Sequence, residues 1–465
     1  MHRFTHLLAV LLLISIITAC GNTSSVPSGN AQAPEPLAST EPAPTRDAAS
    51  QPSAIPVAVP TALPTALPTA TPAPALPAQI AQVGFYQDDQ VAVYGFLLDN
   101  PNPAAALTDV RMQMIAYGAD NIVLGTNTSS VLLLPPGVQT AMGGNIYLSD
   151  ARTVERVDVQ ITAGGQAFAA TPEEIPAFPV TNATFHPSTI YDQVSAIVGN
   201  PFGMPLTDLY VGIVLFDEAE QIIGGGFTYL PFLLPESSTP FKTSIRSNGM
   251  PARIAVSPLL SGLSLFEPQS AASLPPLEVV EQGWGINQQI GFGMVLANPD
   301  ASRALEDSQY VITAYADDGS ILAVDQGIIS VILPGARTAI GRLLYTLSDD
   351  PAPARVEALI FPGTPTTRNR SEAFSFTSTT FFPDPFGGKV TGMISNPYAQ
   401  SVSNLELVAL VRDANGAIIG AGGTYSTTIP GAGSLAVEMV VAAPPDQVVS
   451  AELFANETRL TEFGE

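Results

Sequence analysis

The chain has 465 residues, with 17 Lys+Arg against 41 Asp+Glu, a formal net charge of −24 and one cysteine. That charge disfavours nucleic acid and anionic lipid surfaces as partners. A single thiol excludes an intrachain disulfide, so stability has to come from packing.

The N-terminus reads as a targeting segment. Arg3, with His2 and His6, precedes the apolar run "LLAVLLLISII", Leu7 to Ile17. Eleven residues are too few to span a bilayer, which takes ~20, but they suit the apolar region of a secretory signal peptide. The residues that follow, Ile17-Thr18-Ala19-Cys20, resemble a bacterial lipobox. The resemblance implies a signal peptide over 1–19, cleavage before Cys20, lipid on the Cys20 thiol, and a chain held at the cell membrane on its extracytoplasmic side.

Residues 20–78 change character. "VPTALPTALPTATPAPALP", Val59 to Pro77, is Pro/Ala/Thr with no charge and no aromatic. Each proline fixes φ and removes a backbone donor, so neither helix nor ladder can form. An extended, disordered stalk is expected.

From residue 79 the chain is acidic throughout. Without Arg3, Arg46, Glu35, Glu41 and Asp47, 15 basic residues face 38 acidic ones, a net charge of −23. Asn-Pro recurs at Asn100, Asn200, Asn298 and Asn396, and Leu/Ile-Pro follows each about 34 residues on, at Pro135, Pro235, Pro334 and Pro430. Residues 100–147 and 298–345 align without a gap, with 15 of 48 positions identical, and residues 200–229 and 396–425 with 10 of 30. The chain therefore reads A-B-A′-B′, four units over 79–170, 178–266, 276–366 and 373–465. A period near 98 residues is too long for a solenoid repeat and suits whole domains as beads.

Within a unit the pattern is strand-like. In the fourth, Lys389 to Ser395 is a short strand that Asn396-Pro397 breaks. Asn404 to Arg412 follows, with Leu405, Leu407, Ala409 and Val411 on one face; Asp413-Ala414-Asn415-Gly416 is a hairpin turn. "AIIGAGGTYS", "LAVEMVVA" and "VVSAELFA" supply further strands. Short strands bounded by Gly, Pro and Asn predict an all-β chain of antiparallel sandwiches.

The hairpin Ile213 to Asp217, followed by "EAEQIIGGG", resembles the FxLYD-type domain, an immunoglobulin-like sandwich of bacterial surface and lipid-anchored proteins. Ile213, Leu215, Phe216 and Asp217 fall on its motif. The resemblance implies an immunoglobulin-like fold and carries no catalytic centre.

Chemistry-bearing residues are sparse. Once the signal is removed His186 is the one histidine, and the repeat replaces it with Phe382, which points to a strand-end residue rather than a general base. No His/Cys cluster can form, and no metal or cofactor is expected. The runs Gly224 to Tyr229 and Gly291 to Met294 lack the third glycine and helix of a dinucleotide loop, which leaves glycine at bulges or close contacts. Asp88-Asp89, Asp317-Asp318 and Asp349-Asp350 could line a calcium site but read better as solvated turns. Phe227, Tyr229 and Phe232, and the single tryptophan Trp284, are candidates for a sugar-binding platform, against core or inter-domain packing.

The expectation is a non-catalytic, lipid-anchored protein presenting tandem sandwiches to a protein or envelope polymer. The alternative is a carbohydrate- or ligand-binding module; a hydrolase is the least supported.

Overall fold

A computed structural model describes residues 74–188, 191–261, 274–346, 352–367, 372–384 and 387–464. The signal segment, Cys20, nearly all of the stalk and Asp349-Asp350 lie outside the described residues. Among the described residues the regular structure is antiparallel β-strand, apart from one 3-10 turn at Ala119–Asn121.

One arrangement recurs four times. The first six strands are β1 (Gln79–Asp88), β2 (Val91–Asp99), β3 (Ala105–Tyr117), β4 (Val123–Leu134), β5 (Gln139–Tyr147) and β6 (Arg156–Ala169). They form sheets in the orders β1-β2-β5 and β4-β3-β6. The next six are β7 (Val180–His186), β8 (Asp192–Gly199), β9 (Leu206–Phe216), β10 (Ile222–Leu233), β11 (Ser238–Ser247) and β12 (Arg253–Leu259). Here β10 and β11 also touch, giving one bent sheet, β12-β9-β10-β11-β8-β7. Then come β13 (Glu278–Asn287), β14 (Gln289–Ala297), β15 (Ala304–Tyr315), β16 (Ile321–Ile332), β17 (Arg337–Leu344), β18 (Arg355–Phe361) and β19 (Thr364–Thr366), as β13-β14-β17 and β16-β15-β18, with β19 on β15. The last set is β20 (Ser375–Asp384), β21 (Gly387–Ser395), β22 (Val402–Ser403), β23 (Glu406–Arg412), β24 (Ile418–Tyr425), β25 (Ser434–Val441), β26 (Ser450–Asn456) and β27 (Glu462–Phe463). Its sheets are β20-β21-β25 and β24-β23-β26, with a small β22-β27 ribbon. Each set encloses its own apolar core.

The hairpin motif is a turn device. Asp217 Oδ1 accepts the backbone N–H groups of Ala219 and Gln221, as Asp413 Oδ1 does from Asn415 and Ala417. In the third set Asp318 Oδ1 takes Ser320 N–H at 2.8 Å, and Gly319 closes that turn at φ 82°. These carboxylates hold the hairpins they begin.

The Asn-Pro repeat has a more specific role than a strand break. Asn100, Asn200, Asn298 and Asn396 are all buried. Each Nδ2 donates to a carbonyl four or five residues on (Ala105, Met204, Arg303, Gln400) and to another 34 or 35 residues on (Pro135, Leu234, Leu333, Pro430). Each Oδ1 accepts the N–H two residues on. The carboxamide thus ties one loop to the next. Asn298→Ala would leave those buried carbonyls without a donor and the Asp300 N–H without an acceptor. The expected loss is about 2–3 kcal/mol, read as a lower urea midpoint at unchanged slope.

The sequence suggests beads, but the sandwiches pack face to face. The described residues, from 74 onward, form one compact unit. Sheet β1-β2-β5 lies on β10-β9-β12, and glycine lines the seam from both sides. A Cβ on Gly84 would sit 2.5 Å from Ile222 Cβ, and one on Gly225 2.5 Å from the Tyr94 carbonyl. A Cβ on Gly143 would meet Gly226 N, and one on Gly212 the Ala141 carbonyl. In the second pair Gly283, Gly285, Gly291 and Gly341 face the backbone of Ile418, Ile419, Ala442 and Gly422. These glycines let backbone approach backbone, which no side chain permits.

Seam strands are therefore buried on both faces. On β23, Leu407, Ala409 and Val411 face the fourth core, while Val408 and Leu410 join Val295 and Ala339 of the third set. On β9, Ile213 and Leu215 face the second core, while Val214 and Phe216 pack with Leu97 and Ala141. Such strands read as continuous apolar runs rather than alternating ones. The second and third sets also meet, where Phe232 stacks on Phe361 at 5.6 Å among Val311, Tyr315 and Ile321.

Candidate functional site

At one end of the first seam a groove of about 340 Å³ opens between the first two sandwiches. Its polar wall is β4. A register shift at the start of that strand resets its alternation, so Gly125, Asn127, Ser129 and Val131 share the inward face. Val131 enters the core, but Asn127 and Ser129, where apolar residues are expected, are half-buried along the groove. Asn127 Nδ2 donates to the Tyr94 hydroxyl at 3.2 Å and to the Asn145 carbonyl at 3.0 Å, and its Oδ1 accepts Thr128 N–H at 2.7 Å. Burial pushes the Tyr94 hydroxyl far above the usual phenol range, so it keeps its proton.

The opposite wall is aromatic. Tyr210 on β9 lies directly across from Tyr229 on β10, and Phe227 is the diagonal neighbour. The Tyr210 and Phe227 rings stack at 5.4 Å with planes 18° apart. Tyr229 stands edge-on to both, at 5.8 and 5.9 Å. Tyr210 is anchored by the Gly143 N–H at its hydroxyl, which burial holds protonated. Phe227 is 45% exposed and Tyr229 40%, large values for rings that already pack together.

Four aromatic candidates were legible in the sequence, and the fold brings two of them together. Phe227 and Tyr229 meet in the groove. Phe232 is fully buried between the second and third sandwiches. Trp284 is half-buried against the third core, with its neighbours Gly283 and Gly285 turned to the seam instead. Tyr210, Tyr94 and Asn127 are the residues that sequence reasoning missed. The repeat alignment held the signal, because Tyr210 aligns with Glu406 and Gly144 with Arg342.

That swap closes the same place in the second pair. Arg342, on β17, reaches between the sandwiches. Its Nη1 lies 2.7 Å from Glu406 Oε1, its Nε donates to the Tyr310 hydroxyl at 2.5 Å, and Asp325 Oδ2 is 3.5 Å away, an ion-pair distance. Burial raises the Asp325 carboxyl, with Arg342 and Lys242 opposing. Asn127 and Ser129 correspond to Asp325 and Gly327, and Phe227 to Gly423. One pair thus carries an aromatic groove where the other carries a packed ion cluster.

No family model matches the chain, and no curated protein matches it either.

The remaining titratable candidates stand apart from the groove. His186 ends β7, with Nε2 2.9 Å from Ser195 Oγ, and Ser195 is 1% exposed. Burial, then the nearby Lys242, lowers the imidazole below its usual value. Asp88-Asp89 sits at the β1–β2 turn, where Arg246 pairs with Asp88. Among the described residues no three His, Cys, Asp or Glu side chains converge as a metal site.

Proposed function

We propose that the protein is a non-catalytic, lipid-anchored display body at the extracytoplasmic face of the cell membrane, offering tandem immunoglobulin-like sandwiches to an envelope polymer or protein. The observation that carries the reading is the pair of glycine-lined seams. They fuse successive sandwiches into a stiff body, as suits presentation of a surface at a distance and not opening and closing around a substrate. The lipobox-like Ile17-Thr18-Ala19-Cys20 and the Pro-rich stalk support anchorage, and the motif at Ile213 to Asp217 supports kinship with FxLYD-type surface domains. His186 pairs with the Ser195 hydroxyl, which is 1% exposed, so that pair presents no solvent-facing nucleophile.

Cys20→Ala is expected to move the protein from the membrane fraction to the soluble extracytoplasmic fraction, and mass spectrometry of the wild type should find lipid on Cys20. Unmodified wild type, or a variant that stays on membranes, overturns the anchor. Crosslinking on intact cells then identifies what the body meets.

A further inference from the structure

We propose that the groove between the first two sandwiches is a binding site for a neutral carbohydrate, with a pyranose ring stacked on the open face of Phe227, the Tyr229 ring standing beside it, and its hydroxyls facing Asn127, Ser129 and Tyr94. The inference goes beyond the display reading, which stands if the groove proves empty of function.

Three features select this ligand. First, the aromatic wall is a platform, not a cage. Its three rings touch one another at 5.4 to 5.9 Å, so no cation can sit between them. The electron-rich ring faces instead suit the polarised C–H face of a sugar. Second, the opposite wall is polar without charge. Asn127 and Ser129 point inward from a strand whose pattern calls for apolar residues, and the Tyr94 O–H, already accepting from Asn127, retains a proton to donate. Among the described residues no charged side chain lines the groove, although the chain carries a net charge of −24. An anionic ligand would meet no counter-charge there, and a cationic one no carboxylate. Third, the fold does not need this opening. The same place in the second pair is filled by Arg342, Glu406 and Tyr310, whereas the first pair has Gly144, Tyr210 and Met112. The volume, about 340 Å³, falls at the small end of ligand pockets, roughly 300–1,000 Å³, enough for one or two sugar units held edge to face.

The test uses the full-length chain and saturation-transfer NMR against soluble cello-, xylo-, manno- and chito-oligosaccharides at millimolar concentration, with oligogalacturonate as the anionic counterpart. At least one neutral series is expected to receive saturation on its ring C–H protons. Phe227→Ala and Tyr229→Ala should each weaken that binding about tenfold or more, and Asn127→Ala should do the same. Tyr425→Ala, at the exposed counterpart of Tyr229 in the second pair, should leave it unchanged. Because Phe227 and Tyr229 are exposed, unchanged circular dichroism and melting will separate lost binding from lost fold. No signal from any neutral series, equal binding by Phe227→Ala, or oligogalacturonate binding as tightly as the neutral sugars would each overturn the proposal.

Discussion

Gly212→Val is expected to destabilise the body by about 3 kcal/mol and to pry the first two sandwiches apart. Gly212 lies on β9 and faces the first sandwich. Any Cβ there would strike the Ala141 carbonyl oxygen, lie 3.1 Å from the Ala141 carbonyl carbon and 3.2 Å from Met142 Cα, all backbone on the neighbouring sheet and not the far end of a flexible side chain. Overpacking of a well-filled interface costs ~1–3 kcal/mol and more where nothing can yield. The seam also carries hydrogen bonds that a splayed pair would lose, such as Ala141 N–H to Ser257 Oγ at 2.8 Å and Gln82 Nε2 to the Glu220 carbonyl at 2.8 Å. Two readouts apply, a fall in the denaturant midpoint and a larger radius of gyration by small-angle scattering. Gly203→Val is the control. A Cβ on Gly203 meets nothing within 4 Å, so the change should stay within about 0.5 kcal/mol. If Gly212→Val melts like wild type, the seam is not a tight one.

Arg342→Leu is expected to cost about 3–5 kcal/mol, because it removes the cation and leaves its carboxylates behind. The Glu406 side chain is 11% exposed and, among the described residues, would keep the acceptor contact with Asn456 Nδ2 at 3.2 Å. Asp325, whose carboxyl burial already raises, would lose its nearer counter-charge and be left with Lys242. The variant should show a pH signature. A carboxyl whose folded pKa rises above its unfolded value binds its proton more tightly in the native state. Stability then falls as pH rises from the unfolded carboxylate range through the raised folded value. The deficit of Arg342→Leu should therefore shrink on acidification from neutral pH, measured by urea melts across that range. The first pair suggests a rescue. Arg342→Gly with Glu406→Tyr copies Gly144 and Tyr210, and a double-mutant cycle should find the two changes strongly coupled. Additive losses would mean that Arg342 and Glu406 do not act as one unit.

The groove and the ion cluster show how duplication supplies its own comparison. The two pairs share strand order, the Asn-Pro carboxamide ties and glycine seams, so the frame is common to both. At one place the two differ in kind, with an aromatic and hydroxyl-bearing set in one copy and a charged set gathered around Arg342 in the other. A buried charge requires partners, which explains why Arg342, Glu406, Asp325 and Tyr310 occur together. The aromatic set has no such internal requirement, since Phe227 and Tyr229 remain exposed to solvent when the chain is alone.

Much of the frame was legible in the sequence because it is local. A short, nearly continuous apolar run marks Leu405 to Val411 as a strand, Asp413 and Gly416 mark its hairpin, and the recurring Asn-Pro marks each loop after the second strand. The 34-residue spacing to Leu/Ile-Pro was visible too, although its cause was not. It is the reach of a buried carboxamide to a carbonyl, a contact between segments that only folding brings together. Glycine was readable as a sign of close approach, but not what it approaches. Gly212 and Ala141 are far apart along the chain, and their contact follows from one sandwich lying on another. The groove was the least legible part. Phe227 and Tyr229 stand out by composition, while Trp284 and Phe232 stand out equally and face cores or interfaces. The all-β character and the hairpins are written locally, in propensity and periodicity over a few residues, and the duplication is written in the aligned repeat. The tertiary structure alone decided which aromatic rings share a surface, and that an asparagine and a serine complete it, because a seam between two sheets gathers residues from both.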